Sequence, residues 1–369
     1  MSKFFNKHLF TNLISSSLRL VSSRFYYLYI IILASVLSFL NWENQMMGGI
    51  VWYYEDFTRF IASGFSDDYQ FKSETPAFPM WGYGFIIFLL KQRSLIIVFQ
   101  QCLNILSIYF IEKLLIRYGF KQELKSIYRL ILLFSFSWFL FHTGYWPYSI
   151  AALLLTFSLL FLLIGLKEQE WCIIIYSALF YGLALNFKSD YLYYYFFLIP
   201  SLLLWSYIYS KQSLPKVVSW AAIVFFLMTP WQMHCYNKIG KAQMYSSNGG
   251  HHLFISLGQL PNNIWGITAN DSDPLMRQIV DEAFPDKPRT VSHHADTVLR
   301  NEWKKRVLSE PGEYFKKCLF NLYSMITRPF THGEVYRTFI KNELKRERLK
   351  SALKQDIQAF KLLNLTKIT

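Results

Sequence analysis

Asp56, in the segment WYYEDFTRFIASG (52–64), is the residue whose setting most suggests chemistry. Tyr53, Phe57, Phe60 and Ile61 recur at helical spacing, which predicts an amphipathic interfacial helix with Asp56 near its polar edge. A carboxylate held against a low-dielectric boundary tends toward a raised pKa, the condition for a general base near neutral pH. The plainer reading is a solvated loop acid or a partner for Arg59. Lys188, in LALNFKSDYLYYY, stands where an apolar run ends; it either snorkels to the interface or holds a lipid phosphate. His234, in PWQMHCYN, is an interfacial histidine or a donor to a phosphate or sugar. Downstream, SSNGGHHLFISLGQLPNN supplies Ser247, Asn248, His251, His252, Gln259 and Asn263. Such a set suits carbohydrate hydroxyls, and a turn-rich exposed loop is the competing reading. Asp67-Asp68 fits a turn or a helix cap. The pairs His251-His252 and His293-His294 lack the spaced partners of a metal site, and no metal is assigned.

These residues belong to a chain built for a bilayer. Of 369 residues, 53% are hydrophobic and 19% aromatic, and apolar runs recur at the length that crosses a hydrocarbon core. The polar loop 41–78 is the exception, with six of the 24 acidic residues: Glu43, Glu55, Asp56, Asp67, Asp68 and Glu74. The net charge of +14 lies largely in loops and tails beside apolar runs, a pattern of positive-inside topology rather than of a nucleic-acid groove. Cys102 and Cys172 fall inside apolar runs and read as packing residues. Cys235 and Cys318 lie outside them, where pairing needs an oxidising compartment.

In chain order, 1–24 reads as a cytoplasmic amphipathic amino terminus, with a helix over 4–23. Residues 25–41 form a signal anchor and first span. The loop 42–80 closes with Pro76 and Pro79, which break any incoming helix, and the run 80–90 is too short to cross. Further spans are expected at 94–116, 127–142, 148–166, 171–187, 191–209 and 216–230. Placing the more basic connectors inside gives seven crossings, with everything after Pro230 outside. Residues 231–336 read as a small extracytoplasmic segment. The lysines within 312–330 make that stretch a poor span, although an eighth crossing near 315–330 stays open. The tail 337–369 carries a basic helix. The fold class is thus an all-α polytopic membrane protein, with the Tyr191, Tyr193, Tyr194 and Tyr195 cluster as an interfacial belt.

Taken in order, these landmarks resemble the GT-C superfamily of glycosyltransferases. The nearest branch is the protein-mannosyltransferase and aminoarabinose-transferase type, which uses polyprenyl-phosphate sugars. The family's first-loop acid, small-residue pattern and proline-rich helix opening look like Asp56, Ala62, Gly64, Pro76, Pro79 and Gly82. A span ending in a basic residue is similar to GLALNFKSD, with Lys188 where arginine is more usual. The closing pattern of the last shared span is similar to Pro230, Trp231, His234, Cys235 and Tyr236, followed by Asn248, Gly249 and Gly250. The family's further spans and carboxy-terminal domain have no counterpart here.

The resemblance implies a GT-C-like bundle of about seven helices over 25–230. It implies inverting transfer of one sugar at the extracytoplasmic face of the plasma (inner) membrane. Asp56 is then the catalytic residue that deprotonates or orients the acceptor. Lys188 and His234 stabilise the leaving lipid phosphate, and Glu55, Tyr236, Asn248, His251, His252 and Gln259 complete the substrate set. The implied partners are a polyprenyl-phosphate sugar, a glycan, lipid or protein acceptor, and membrane lipids, with no nucleic acid. No cofactor is expected, although family members differ in the use of a divalent metal. Two other classes compete: a transporter or lipid flippase, which calls for ionisable groups at mid-membrane and repeat symmetry, and a non-catalytic subunit of an envelope assembly complex.

Overall fold

The computed structural model describes residues 25–40, 51–66, 68–71, 76–78, 80–117, 122–134, 139, 142–144 and 147–327. The expected helices at 4–23 and 337–361, together with Glu43, Asp67, Glu74 and Pro79, lie outside the described residues. Within them all regular structure is helical: α1 (Tyr26–Leu40), α2 (Val51–Ala62), α3 (Gly82–Leu90), α4 (Arg93–Arg117), α5 (Gln122–Phe134), α6 (Pro147–Glu168) and α7 (Trp171–Phe187). These are followed by α8 (Tyr191–Tyr209), α9 (Leu214–Leu227), α10 (Thr229–Ile239), α11 (Gly249–Ser256), α12 (Pro274–Ala283), α13 (His293–Ser309) and α14 (Pro311–Thr327).

Four stretches are long and apolar enough to cross a membrane: α4, α6, α8 and the run Lys211–Ile239 that contains α9 and α10. The apolar helices α1 and α7 are shorter. Of the expected span at 127–142, residues 127–134, 139 and 142 are described. Its described helix starts earlier, at Gln122, and reaches Phe134; polar Gln122, Glu123, Lys125 and Ser126 open it, so only its second half is apolar. Residues 142–144 form a turn. Residues 231–239 are helical. PWQMHCYN continues as helix α10, because Pro230 sits in the first turn, where its missing N–H costs nothing. Gly240, at φ 69°, then ends the helix in the left-handed conformation. The four cysteines are free. Cys102 and Cys172 are exposed rather than packed, and Cys235 is buried while Cys318 is exposed.

The chain divides into two compact units. The first holds α1, α4, α5 and the opening part of α6. Tyr26, Ile30 and Ala34 of α1 form a core with Ile108 of α4 and Leu132 of α5. Glu112 on α4 is buried but fully engaged. Arg129 donates from Nε at 2.7 Å and from a terminal nitrogen at 2.6 Å, and Tyr27 donates its hydroxyl at 2.7 Å. Lys125 lies 3.2 Å away. Polar side chains also tie helix to backbone, as Gln100 and Gln101 of α4 donate to the carbonyls of Gly144 and Phe139.

The second unit holds α2, α3, the closing part of α6, and α7 to α14. Where α7 and α9 cross, Gly182 allows contact with Leu227, whose side chain would stand 2.5 Å from an added Cβ. Trp220 Nε1 donates to Ser177 Oγ at 2.9 Å in the same crossing. Small residues and isolated polar bonds are what apolar helices use when burial in lipid supplies no driving force. After α10 the chain makes a core of its own: Phe254, Leu257, Trp265, Ile267, Met276, Val280, Ala295 and Leu299. The polar composition of 231–311 therefore conceals a packed helical subdomain.

Candidate functional site

Asp56 lies on α2, whose buried side carries Tyr54, Phe57, Phe60 and Ile61. The sequence reading puts Asp56 at the polar edge; instead it is only 2% exposed. The cause is local. Residues 68–71 fold back over the helix, and the Tyr69 hydroxyl donates to Asp56 Oδ1 at 2.7 Å and contacts its backbone carbonyl at 3.2 Å. Burial and the Asp56 carboxylate push the Tyr69 phenol up to about 12. Arg59 finds Glu55 instead, at 4.0 Å on the exposed face, where such a pair contributes little.

His234 on α10 stands among the rings of Phe57, Phe60, Phe71 and Trp231, with centroids 5.2 to 5.9 Å from its own. Its Nε2 is 2.7 Å from the Pro76 carbonyl. A carbonyl only accepts, so this nitrogen carries the proton and spends it on the 76–78 turn. The next carbonyl, Ala77, accepts from Ser247 N at 2.9 Å. The first-loop turn is thus pinned from both sides, by α10 and by the strand of chain leading into α11. His234 is a brace for that turn, with its donor already used, rather than a donor open to a phosphate.

Just beyond the turn, α3 docks on the end of α7. Gly82 touches the Asn186 carbonyl so closely that an added Cβ would meet it at 2.7 Å. Trp81 Nε1 donates to Asn186 Oδ1 at 2.6 Å, while Asn186 Nδ2 donates to the Gly182 carbonyl at 2.8 Å and the Leu227 carbonyl at 3.2 Å. Two residues on, Lys188 caps α7 and pairs through Nζ with Asp190 at 3.1 Å. Ser189 Oγ accepts from Ser246 N at 3.2 Å, which joins this corner to the segment entering α11.

At the amino end of α11, Asn248 Nδ2 donates to His252 Nε2 at 2.7 Å. One edge of His252 is exposed. Burial of the remainder, with the neighbouring Lys188 ammonium, lowers its pKa to about 4, which keeps Nε2 an acceptor. His251 is committed on both nitrogens, to Thr290 Oγ1 and to Asp271 Oδ1, each at 3.1 Å. Gly250 N donates to Asp296 Oδ1 at 2.5 Å, and Arg300 holds Asp296 Oδ2 at 3.1 Å. Of the remaining candidates, Gln259 accepts from Asn321 at 2.7 Å and Tyr236 is exposed.

Several participants were not singled out from sequence: Tyr69, Trp81, Asn186, Asp296 and Arg300. Asn186 left a signal, being a polar residue inside an apolar run. Tyr69 left none, because its role depends on how the loop doubles back. Among the described residues no cluster of three His, Cys, Asp or Glu is arranged to hold a metal ion. No protein-family model matches the chain, and no curated protein or solved structure matches it.

Proposed function

We propose that this chain is a GT-C-type glycosyltransferase that moves a sugar from a polyprenyl-phosphate donor to an extracytoplasmic glycan, lipid or protein, with inversion. The observation that carries the reading is convergence. Asp56, the 76–84 turn and helix, Lys188, the Pro230–His234 segment and Asn248-Gly249-Gly250 are scattered over nearly 200 positions, yet hydrogen bonds and ring contacts knit them into one compact unit. In this reading α1, α5 and α7 join the four long apolar stretches as crossings, which gives seven.

The Tyr69 hydroxyl, 2.7 Å from Asp56 Oδ1, supports the role of the acid. It stands in the relation to the carboxylate that an acceptor hydroxyl would need in order to give up its proton. The acceptor displaces Tyr69, Asp56 takes the proton as the acceptor oxygen attacks the anomeric carbon, and the carbon–oxygen bond to the lipid phosphate breaks. Lys188 offsets the charge on the departing phosphate, and His234 acts at one remove by holding the 76–78 turn. A transporter reading gains nothing from Glu112, whose charge is met by Arg129, Lys125 and Tyr27.

Mass spectrometry of envelope glycans and glycoproteins from a deletion strain tests the proposal. Loss of one defined sugar, restored by the wild-type gene, is expected; an unchanged glycan profile contradicts it.

A further inference from the structure

Helix α14 turns two polar side chains inward: Lys317, only 7% exposed, directs Nζ at Ser256 Oγ 3.4 Å away, and Asn321 donates to Gln259 Oε1 at 2.7 Å. Tyr314 packs on the subdomain core, but four other large apolar side chains face outward. Phe315 is 64% exposed, Leu319 50%, Leu322 55% and Tyr323 61%. Their spacing of 315, 319, 322 and 323 makes one continuous stripe along the helix. An ordinary surface helix buries that stripe and exposes its lysine, since large apolar side chains left in water forgo the gain of burial.

We propose that α14 lies in the plane of the membrane surface, with the Phe315–Tyr323 stripe sunk into the acyl boundary, and that it seats the α11–α14 subdomain on the bilayer. A lipid surface is the occupant the observations favour. The chain already carries four stretches able to cross a membrane, so a bilayer is at hand. Lys316, next to Phe315 on the same helix, is exposed at the edge of the stripe. An apolar face edged by a lysine is the pattern of an interfacial helix on anionic lipid. A crossing is disfavoured, because the helix carries Lys316, Lys317 and Asn321 within two turns. This inference does not depend on the transferase reading.

The test is site-directed spin labelling of the full chain, reconstituted in phosphatidylethanolamine–phosphatidylglycerol vesicles. Labels go singly at 315, 318, 319, 322 and 323, and at exposed Lys304 as an aqueous control, in a Cys102→Ala/Cys172→Ala background. Cys318 is replaced for every label but its own, and buried Cys235 remains. The stripe positions are expected to collide with oxygen severalfold more than the control, to be shielded from a water-soluble nickel chelate, and to share a shallow depth. Collision with the chelate at the level of position 304 would overturn the proposal. So would shielding from both reagents, which means a protein neighbour such as a second copy, or a depth that runs through the midplane. If labelled variants fail to fold, the wild-type chain with a diazirine-bearing phospholipid serves instead. Adducts on 315–323 are expected, and their absence from that peptide alone overturns the proposal.

Discussion

Replacing Gly250 by Ala puts the docking of α11 on α13 to the test. An added Cβ would stand 2.1 Å from the Asp296 carbonyl oxygen and 3.0 Å from Arg300 N. Both are backbone atoms of a helix interior, so neither can swing aside. Helix α11 must move off, and the 2.5 Å bond from Gly250 N to Asp296 Oδ1 goes with it. Overpacking costs about 1–3 kcal/mol, and a lost bond to a charged acceptor about 1.5–3 kcal/mol; because one relaxation relieves part of each, about 3–4 kcal/mol is expected. Hydrogen exchange of peptides covering 249–257 in the full chain reads this as protection lower by roughly two to three orders of magnitude. Gly312→Ala, where an added Cβ meets nothing within 4 Å, should leave exchange unchanged or slower. Protection in Gly250→Ala within threefold of wild type would refute the close approach, and with it the assembly of the Asn248-Gly249-Gly250 turn.

Glu112→Gln leaves the Arg129 guanidinium buried without its counter-charge, and a loss of about 3–5 kcal/mol is expected in thermal unfolding of the solubilised protein. Adding Arg129→Met should recover part of that loss; a double variant no better than the single would deny the pairing. His293, in the first turn of α13, is held down to about 4 by burial, by the adjacent His294 ring and by Lys241. Folded chains therefore stay neutral at His293 while unfolded chains take a proton. The stability this supplies is complete above the ordinary histidine value near 6.5 and is lost as pH falls toward about 4, by at most about 3 kcal/mol. His293→Gln should flatten that part of the stability–pH curve, and an unchanged slope would contradict the assignment.

Much of the architecture was legible because it rests on long apolar runs and proline punctuation. The limits of α6, α7 and α8 follow the sequence within a residue or two for that reason. The failures have physical causes. α10 falls in a stretch to which the sequence reading assigns no element, because its residues are polar; Pro230, in the first turn, opens a helix there. The 249–327 subdomain is hidden by composition, since its core residues such as Trp265, Met276 and Leu299 are spread among charged neighbours. In the candidate site, the residue types were readable but their commitments were not. Asp56 looks half-exposed on a helical wheel because the wheel omits Tyr69. His234 looks available because nothing in the chain announces that the Pro76 carbonyl, 158 residues away, takes its proton.

The most direct test of the central claim is a chromosomal Asp56→Asn replacement, scored by the envelope glycan profile at matched membrane abundance of the protein. Asparagine keeps the shape of the side chain and can still meet the Tyr69 hydroxyl, but it cannot take a proton. Loss of the same sugar that disappears in the deletion strain is the expected result. Transfer at the wild-type level would remove Asp56 from the reaction and contradict the account.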